Sequence, residues 1–162
     1  MQNVIRIFVK TLHMNSIIDK KTLTNFINRS EAIIADNTAN WGKMDAAQMF
    51  QHLNKSLESV FSADKVKRMF IGRIIGKMIL KKALNSKTID KNSPTAPSFI
   101  ADSTVNFDLE KKKWIVNLNK FNDLSEADME GKVHPFFGIM TGNEWNVLIY
   151  KHVDHHLKQF ED

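Results

Sequence analysis

The sequence predicts an all-α protein, and three observations support this. Apolar residues recur every three or four positions through four long segments, as they do along one face of a helix. Two of these segments begin with residues typical of a capping box. No segment alternates between apolar and polar residues as a half-buried strand does. Long amphipathic helices with moderate connections indicate a four-helix bundle, with an additional helical segment between the second and third long helices.

The composition is that of one ordinary globular domain. With 162 residues, 43% of them hydrophobic and 25% charged, the chain can bury a sizeable core. There is no cysteine, which excludes disulfides and cysteine nucleophiles and indicates a cytoplasmic protein. No apolar run approaches the ~20 residues of a membrane span. Residues 1–13 precede the regular pattern and are interpreted as an N-terminal extension, so we assign the domain to residues 14–162.

The first two helices have clear beginnings and apolar faces. Residues 19–34 carry apolar side chains at helical spacing, and the turn-forming stretch DNTANWG follows them. The second helix is predicted to begin at Asp45, because Asp45 and Gln48 stand at capping-box spacing. Its apolar face continues through Met49, Leu53 and Leu57.

The remaining elements follow from apolar spacing and from helix-breaking residues. Residues 65–84 are predicted to form one helical piece, or two pieces with a break near Gly72 or Gly76, and a proline-containing loop follows. A third long helix is expected over residues 104–121, capped by Asp102 or Ser103, and then a turn and loop. A capping box at Thr141 begins the last helix, which is expected to end near Phe160.

The last helix carries two histidines on its apolar face. On a helical wheel of 100° per residue, Trp145, Leu148 and Ile149 all lie within about 60° of His152. His156 lies in the same stripe, so both imidazoles are expected to face the core. A buried imidazole needs partners for both ring nitrogens.

A histidine pair one turn apart can direct two nitrogens at one point, as helical zinc ligands do. A third ligand would have to come from another helix, and His52 on the second helix is the best candidate. Three imidazoles would leave metal positions open for water or substrate, which is typical of catalytic sites. The alternative is that these histidines are satisfied core or surface groups without a metal.

Three stretches resemble one known superfamily. WGKMDAAQMFQHLNKSL, KNSPTAPSF and HPFFGIMTGNEWNVLIYKHVDHHLKQF look like a branch of the DinB/YfiT-like superfamily that is catalogued as a domain of unknown function. The resemblance extends over nearly the whole chain from Met14. It implies a DinB-like four-helix bundle whose metal ligands, carried over by position, are His52, His152 and His156.

The resemblance also implies a cofactor and a kind of chemistry. The ion would be one divalent metal, with zinc or nickel as the usual choices. Some superfamily members transfer low-molecular-weight thiols or isomerise substrates with a thiol cofactor, so an external thiol and a small-molecule electrophilic substrate are expected. A metal-dependent hydrolase is compatible with the same ligands. A non-catalytic bundle, in which the metal only stabilises the fold, is also compatible with these ligands. Homodimers are common in the superfamily.

Other residues near the predicted site have weaker claims. His134, in the HPFFG stretch, could be an additional ligand, a proton shuttle or a lid contact, or simply a braced loop histidine. Trp145 could line a pocket, although all three tryptophans are expected in the core. His155 and Ser56 are interpreted as outer or surface residues of the site, and Asp154 points away from the histidine pair.

A basic segment is the main alternative to the histidines as a functional site. Residues 65–87 contain eight Lys or Arg and no acidic residue, within a chain of net charge +5. Such a segment could bind weakly to an anionic membrane surface or to phosphates. We expect instead that its apolar residues cover the bundle while its cations face water. No nucleic-acid recognition motif accompanies the charge, so no nucleic-acid partner is expected.

Overall fold

The computed structural model describes residues 16–62, 66–91 and 93–161. The predicted extension over residues 1–13 therefore lies outside the described part of the chain. The fold is mostly helical, as predicted. The helices are α1 (Lys20–Ala32), α2 (Ala46–Phe61), α3 (Phe70–Asn85), α4 (Phe107–Lys120), α5 (Glu126–Met129) and α6 (Gly142–Lys158), and the strands are β1 (Val133–His134) and β2 (Gly138–Ile139).

The predicted starts of three long helices are confirmed. Asp19 caps α1 by accepting a hydrogen bond from the backbone of Thr22. Full capping boxes, Asp45 with Gln48 and Thr141 with Glu144, begin α2 and α6. These caps satisfy backbone N–H groups that have no partner within the first helical turn. They fix the start of both helices that carry the predicted ligands.

The predicted start of the third long helix was wrong. α4 begins at Phe107 rather than near residue 104, and its cap is Asn106, whose side-chain oxygen accepts from the backbone of Leu109. Asp102 is not available as a cap. Its carboxylate instead contacts Gln51 and Lys55 on α2.

The segment between α4 and α6 contains more regular structure than the predicted turn and loop. Ser125 and Asp128 form a capping box on the short helix α5. β1 and β2 then pair antiparallel, with Val133 opposite Ile139 and His134 opposite Gly138, so the expectation of no strand was also wrong. Each strand has two residues, too few for an alternating pattern to show in the sequence. Gly138 has a φ of 81°, which favours glycine at this position.

Helix α3 is continuous through both glycines and presents its bulky apolar residues outward. It begins at Phe70 rather than at residue 65, and it does not break at Gly72 or Gly76. A Cβ atom at either glycine would overlap the backbone carbonyl of Phe136, so the glycines allow close packing on the β-hairpin. Phe70, Ile74 and Met78 are exposed, which contradicts the expectation that the apolar residues of this segment cover the core. Of the helices formed by described residues, none combines the length and the apolar character that crossing a bilayer requires.

One hydrophobic core joins α1, α2, α4 and α6. Its largest fully buried side chains include Trp114, Trp145, Phe26 and Phe50. Trp114 on α4 also donates its indole N–H to the hydroxyl of Ser30 on α1 at 2.9 Å. Because α2 and α6 both contribute to this core, the faces that carry their histidines are held in fixed orientations.

The start of α6 depends on close packing against α5. Gly142 donates its backbone N–H to a carboxylate oxygen of Glu130 at 2.7 Å. A Cβ atom at Gly142 would overlap the backbone carbonyl oxygen of Glu126. The glycine therefore permits an approach between two backbones that no larger residue allows.

Replacing Gly142 by Ala should destabilise the protein, because one of the two backbones must move. We expect a loss of about 1–3 kcal/mol of unfolding free energy, the usual range for overpacking. Denaturant titration of wild type and variant measures it. Asn143→Ala is the control, because Asn143 is exposed on the same helical turn and should change stability by less than about 0.5 kcal/mol. Equal stability of Gly142→Ala and wild type would show that the α5–α6 packing is not close.

Candidate metal centre

The structure brings together the three histidines that were predicted as ligands. His52 lies on α2, and His152 and His156 lie one turn apart on α6. Each offers one ring nitrogen, and these nitrogens all lie within 4.8 Å of one another. The Nε2 atoms of His52 and His152 are 2.9 Å apart. Ring centroids of the three pairs are separated by 4.7–4.9 Å.

A backbone carbonyl fixes the protonation of His52. Its Nδ1 lies 2.8 Å from the carbonyl oxygen of Phe99, in a short 3-10 turn at Pro97–Phe99. A carbonyl oxygen can only accept, so Nδ1 carries the hydrogen. In a neutral imidazole the other nitrogen is then unprotonated. The Nε2 lone pair of His52 therefore faces Nε2 of His152.

Gln159 fixes the protonation of His156 in the same way. The Gln159 amide nitrogen donates to the backbone carbonyl of Trp41, which places the amide oxygen on the opposite side. That oxygen lies 2.9 Å from Nδ1 of His156 and accepts its hydrogen. The Nε2 atom of His156 is consequently left with a lone pair. Such outer hydrogen bonds hold metal-binding histidines in one tautomer and orientation.

His152 is the third histidine of the cluster, and its ring hydrogen lies on Nε2. Because Nε2 of His52 is an acceptor, the 2.9 Å contact requires Nε2 of His152 to donate. A cation bound between these rings would replace this hydrogen bond, and His152 would present a lone pair after moving its proton to the other ring nitrogen. Two nitrogens bound tetrahedrally to one zinc at about 2.0–2.1 Å lie roughly 3.3–3.4 Å apart. The Nε2 atoms of His52 and His152, at 2.9 Å, are about 0.4–0.5 Å closer than this, so that pair needs only a small adjustment.

Burial keeps these imidazoles neutral. Desolvation lowers the pKa of His52, and it lowers the pKa of His156 to about 3. The pKa of His152 is well below its ordinary value because of desolvation, with the neighbouring His156 and His52 disfavouring a further charge. All three rings are therefore neutral near pH 7, as metal ligation requires. The three histidines could hold a metal ion.

His134 lies beside this cluster with a different tautomer. Its Nδ1 accepts hydrogen bonds from the backbone N–H groups of Phe136 and Phe137 at 3.1 and 3.2 Å. The neutral ring must then carry its hydrogen on Nε2. Burial lowers the pKa of His134 to about 3, so the ring stays neutral.

The Nε2–H group of His134 is unused by the described residues. The only hydrogen bonds that His134 makes with described residues are at Nδ1, so Nε2–H has no acceptor among them. His134 packs edge-on to Phe99, with ring centroids 5.5 Å apart, and it disfavours protonation of His152. It offers a hydrogen-bond donor near the cluster rather than a lone pair.

The other predicted residues lie around the cluster without joining it. Trp145 is buried, donates to the carbonyl of Lys132 and lies 5.5 Å from the ring of His134. His155 packs against Trp41 and lines a separate surface cavity of about 420 Å³, which Trp41 also lines. Ser56 donates its hydroxyl to the carbonyl of Leu53 on its own helix. Asp154 points away, as expected, and pairs with Arg29 at 2.9 Å.

Sequence reasoning did not identify the two groups that orient the ligands. The Phe99 acceptor is a backbone carbonyl, and no side chain in the sequence marks it. Gln159 stands three residues after His156, one helical turn away, and this spacing was the available signal.

Comparison with known protein families identifies a match over most of the chain. A family model described as "Protein of unknown function (DUF1569)" matches residues 15–162. No curated protein and no solved structure matches the chain.

Proposed function

The chain belongs to the DUF1569 family, and we propose that it is a divalent-metal-dependent enzyme whose ligands are His52, His152 and His156. The helices α1, α2, α4 and α6 would then correspond to the DinB-like bundle that the sequence resembles. One observation carries the proposal. Three neutral imidazoles from two helices converge, and hydrogen bonds to the Phe99 carbonyl and the Gln159 amide leave Nε2 of His52 and Nε2 of His156 with lone pairs.

The ligand set favours a catalytic site over a structural one. Structural zinc sites have four protein ligands, whereas catalytic sites have three and keep a position for water or substrate. Nε2 of His156 has no hydrogen-bond partner among the described residues, so its lone pair is not already used by the protein. Zinc and nickel both suit imidazole ligands.

Transfer of a thiol to an electrophilic small molecule is the reaction we propose. When bound, a divalent ion would lower the pKa of a thiol that joins it and hold the sulfur as a nucleophile. The chain has no cysteine, so the thiol must come from a second small molecule. In the transfer a carbon–sulfur bond forms, the bond to the leaving group breaks, and the leaving group departs with that electron pair and takes up a proton.

His134 is the residue we assign to the substrate. Its Nε2–H can donate a hydrogen bond to the atom on which negative charge develops, such as a carbonyl or leaving-group oxygen. Phe99, Phe137 and Trp145 surround its ring, and Nδ1 is held by two backbone N–H groups, so the donor has a fixed direction. His134 would orient substrate without ligating the metal.

Cobalt substitution tests whether the site accepts a thiol. We expect that adding 2-mercaptoethanol to the Co²⁺-loaded protein produces a thiolate-to-cobalt charge-transfer band in the near ultraviolet. Because the chain contains no cysteine, such a band can arise only from the added thiol. His134→Asn is the matched variant. The Asn oxygen can still accept from the two backbone N–H groups, so the variant should keep the band if His134 is not a ligand.

The outcomes separate the proposed function from its alternatives. A cobalt spectrum that changes with azide but not with thiol would favour the hydrolase. A spectrum that changes with neither probe would indicate a closed site in which the metal only stabilises the fold. Loss of the band in His134→Asn would make His134 a ligand and contradict its assignment to the substrate.

A further inference from the structure

Helix α3 exposes a stripe of large apolar side chains. The exposed fractions are 77% for Phe70, 67% for Ile74, 67% for Met78 and 46% for Ile71. At 100° per residue these four positions fall within an arc of about 100°. Such a continuous apolar patch marks an interaction surface on a folded protein. We call these four residues the α3 stripe.

The close packing on the inner side explains why the stripe faces outward. Gly72, Gly76 and Leu80 lie on the opposite side of the helix and are buried. The absence of a side chain at the two glycines brings the α3 backbone against the carbonyl of Phe136. The glycine face of α3 therefore packs against the β-hairpin, and the large apolar side chains on the other face remain exposed. Ile139 on the adjacent strand β2 is 63% exposed.

Cations border the stripe on both sides. On the wheel Arg73 and Lys77 lie along one edge and Lys82 along the other, while Lys81 lies at the C-terminal end of the stripe. All four are exposed, and no acidic residue occurs between residues 66 and 89. Lys82 pairs with Asp90 and Lys77 with Glu144, but both lysines are more than half exposed. Exposed pairs of this kind are weak, so the ammonium groups can turn to another anion.

We propose that α3 binds the surface of an anionic membrane, with the α3 stripe inserted at the level of the lipid headgroups. An apolar stripe bordered by Lys and Arg is the pattern of helices that lie in the membrane interface. The flanking cations would contact lipid phosphates and carboxylates while their aliphatic stems lie along the apolar surface. A second copy fits less well, because a symmetric contact through this stripe would place the same cationic borders against each other.

Vesicle co-sedimentation of the full chain tests this proposal. We expect wild type to bind phosphatidylcholine–phosphatidylserine vesicles, to bind pure phosphatidylcholine vesicles far less, and to be released by salt. Ile74→Glu should weaken binding by roughly 10–100-fold, because it removes one large buried side chain from the membrane contact. Leu109→Glu is the matched control: Leu109 on α4 is also 67% exposed, the charge change is the same, and binding should not fall comparably.

Other occupants of the stripe give different results. Wild type that does not bind anionic vesicles, or Ile74→Glu that binds as well as wild type, overturns the proposal. If a second copy covers the stripe, Ile74→Glu will change the sedimentation coefficient at high protein concentration instead. If residues 1–13 cover it, Ile74→Glu will lower the melting temperature of the lipid-free protein. Salt-sensitive binding to RNA that Ile74→Glu leaves intact would assign the cations to nucleic acid. None of these results depends on the metal centre.

Discussion

His156→Asn should purify without stoichiometric divalent metal, whereas His155→Asn should retain the metal content of wild type. The Asn amide can still donate a hydrogen bond toward Gln159, as Nδ1 of His156 does, but it provides no Nε2 ligand. The substitution therefore removes one of three ligands with little change in packing. Elemental analysis of protein purified without chelator or nickel resin measures the result.

His155 is the matched control because it is the adjacent histidine on the same helix. Its ring centroid lies 5.0 Å from that of His156, but it faces Trp41 and the surface cavity rather than the cluster. A nonspecific effect of losing a histidine near the C-terminus of α6 would appear in both variants. Equal metal content in His156→Asn and wild type would refute the ligand assignment.

Gln159→Leu should give an intermediate result. The substitution keeps all three imidazoles but removes the acceptor that fixes the tautomer of His156. Loss of such an outer hydrogen bond usually weakens metal binding by about 10–100-fold, less than loss of a ligand. A competition titration with a chromophoric chelator should therefore rank wild type first, Gln159→Leu second and His156→Asn last.

Helix starts were predictable where the signal is local. Asp45 with Gln48 and Thr141 with Glu144 make reciprocal contacts across three residues, so the sequence contains both halves of each capping box. The start of α4 was not predictable in this way. Asp102, Ser103 and Asn106 are all residue types that cap helices, and the Asp102 carboxylate is engaged by Gln51 and Lys55, which are distant in sequence.

The apolar periodicity of α3 did not determine which face of the helix is buried. The segment has two candidate inner faces, one with Gly72 and Gly76 and one with Phe70, Ile74 and Met78. Hydrophobicity favours burial of the second face, and that expectation was wrong. Close approach of two backbones, which only glycine permits here, decided in favour of the first face.

The three ligand histidines were predicted from side-chain types and spacing. The groups that orient two of them were not predicted, because they are brought close only by the fold. The wheel placed His152 and His156 on a buried face, and His52 on the second helix was the best third candidate, which the resemblance also implied. The geometry that makes these nitrogens useful as ligands depends on the carbonyl of Phe99, 47 positions from His52 in sequence. It also depends on the side-chain amide of Gln159, which is oriented by its hydrogen bond to the backbone carbonyl of Trp41. Neither contact has a residue-type signature.

Metal-free protein should lose stability steeply as the pH falls below about 6.5, the ordinary pKa of histidine. In the folded state burial lowers the pKa of His134 and of His156 to about 3. Between these two pH values the unfolded chain binds protons that the folded protein does not, so acid favours unfolding. Each such histidine contributes about 1.4 kcal/mol of lost stability per pH unit. Above about pH 7 the rings are neutral in both states, and this contribution vanishes.

The carboxylates of the protein also titrate on the acid side, and His134→Asn isolates the histidine contribution. Asn does not titrate, and its oxygen can replace Nδ1 as acceptor for Phe136 and Phe137. Unfolding free energies from denaturant titrations in EDTA at several values between pH 7.5 and pH 4.5 should fall less steeply for His134→Asn, by about 1.4 kcal/mol per pH unit below about pH 6. Parallel curves for variant and wild type would mean that His134 becomes protonated in the folded state. In that case its ring would not be held as a neutral Nε2–H donor, and its assignment to the substrate would fail with it.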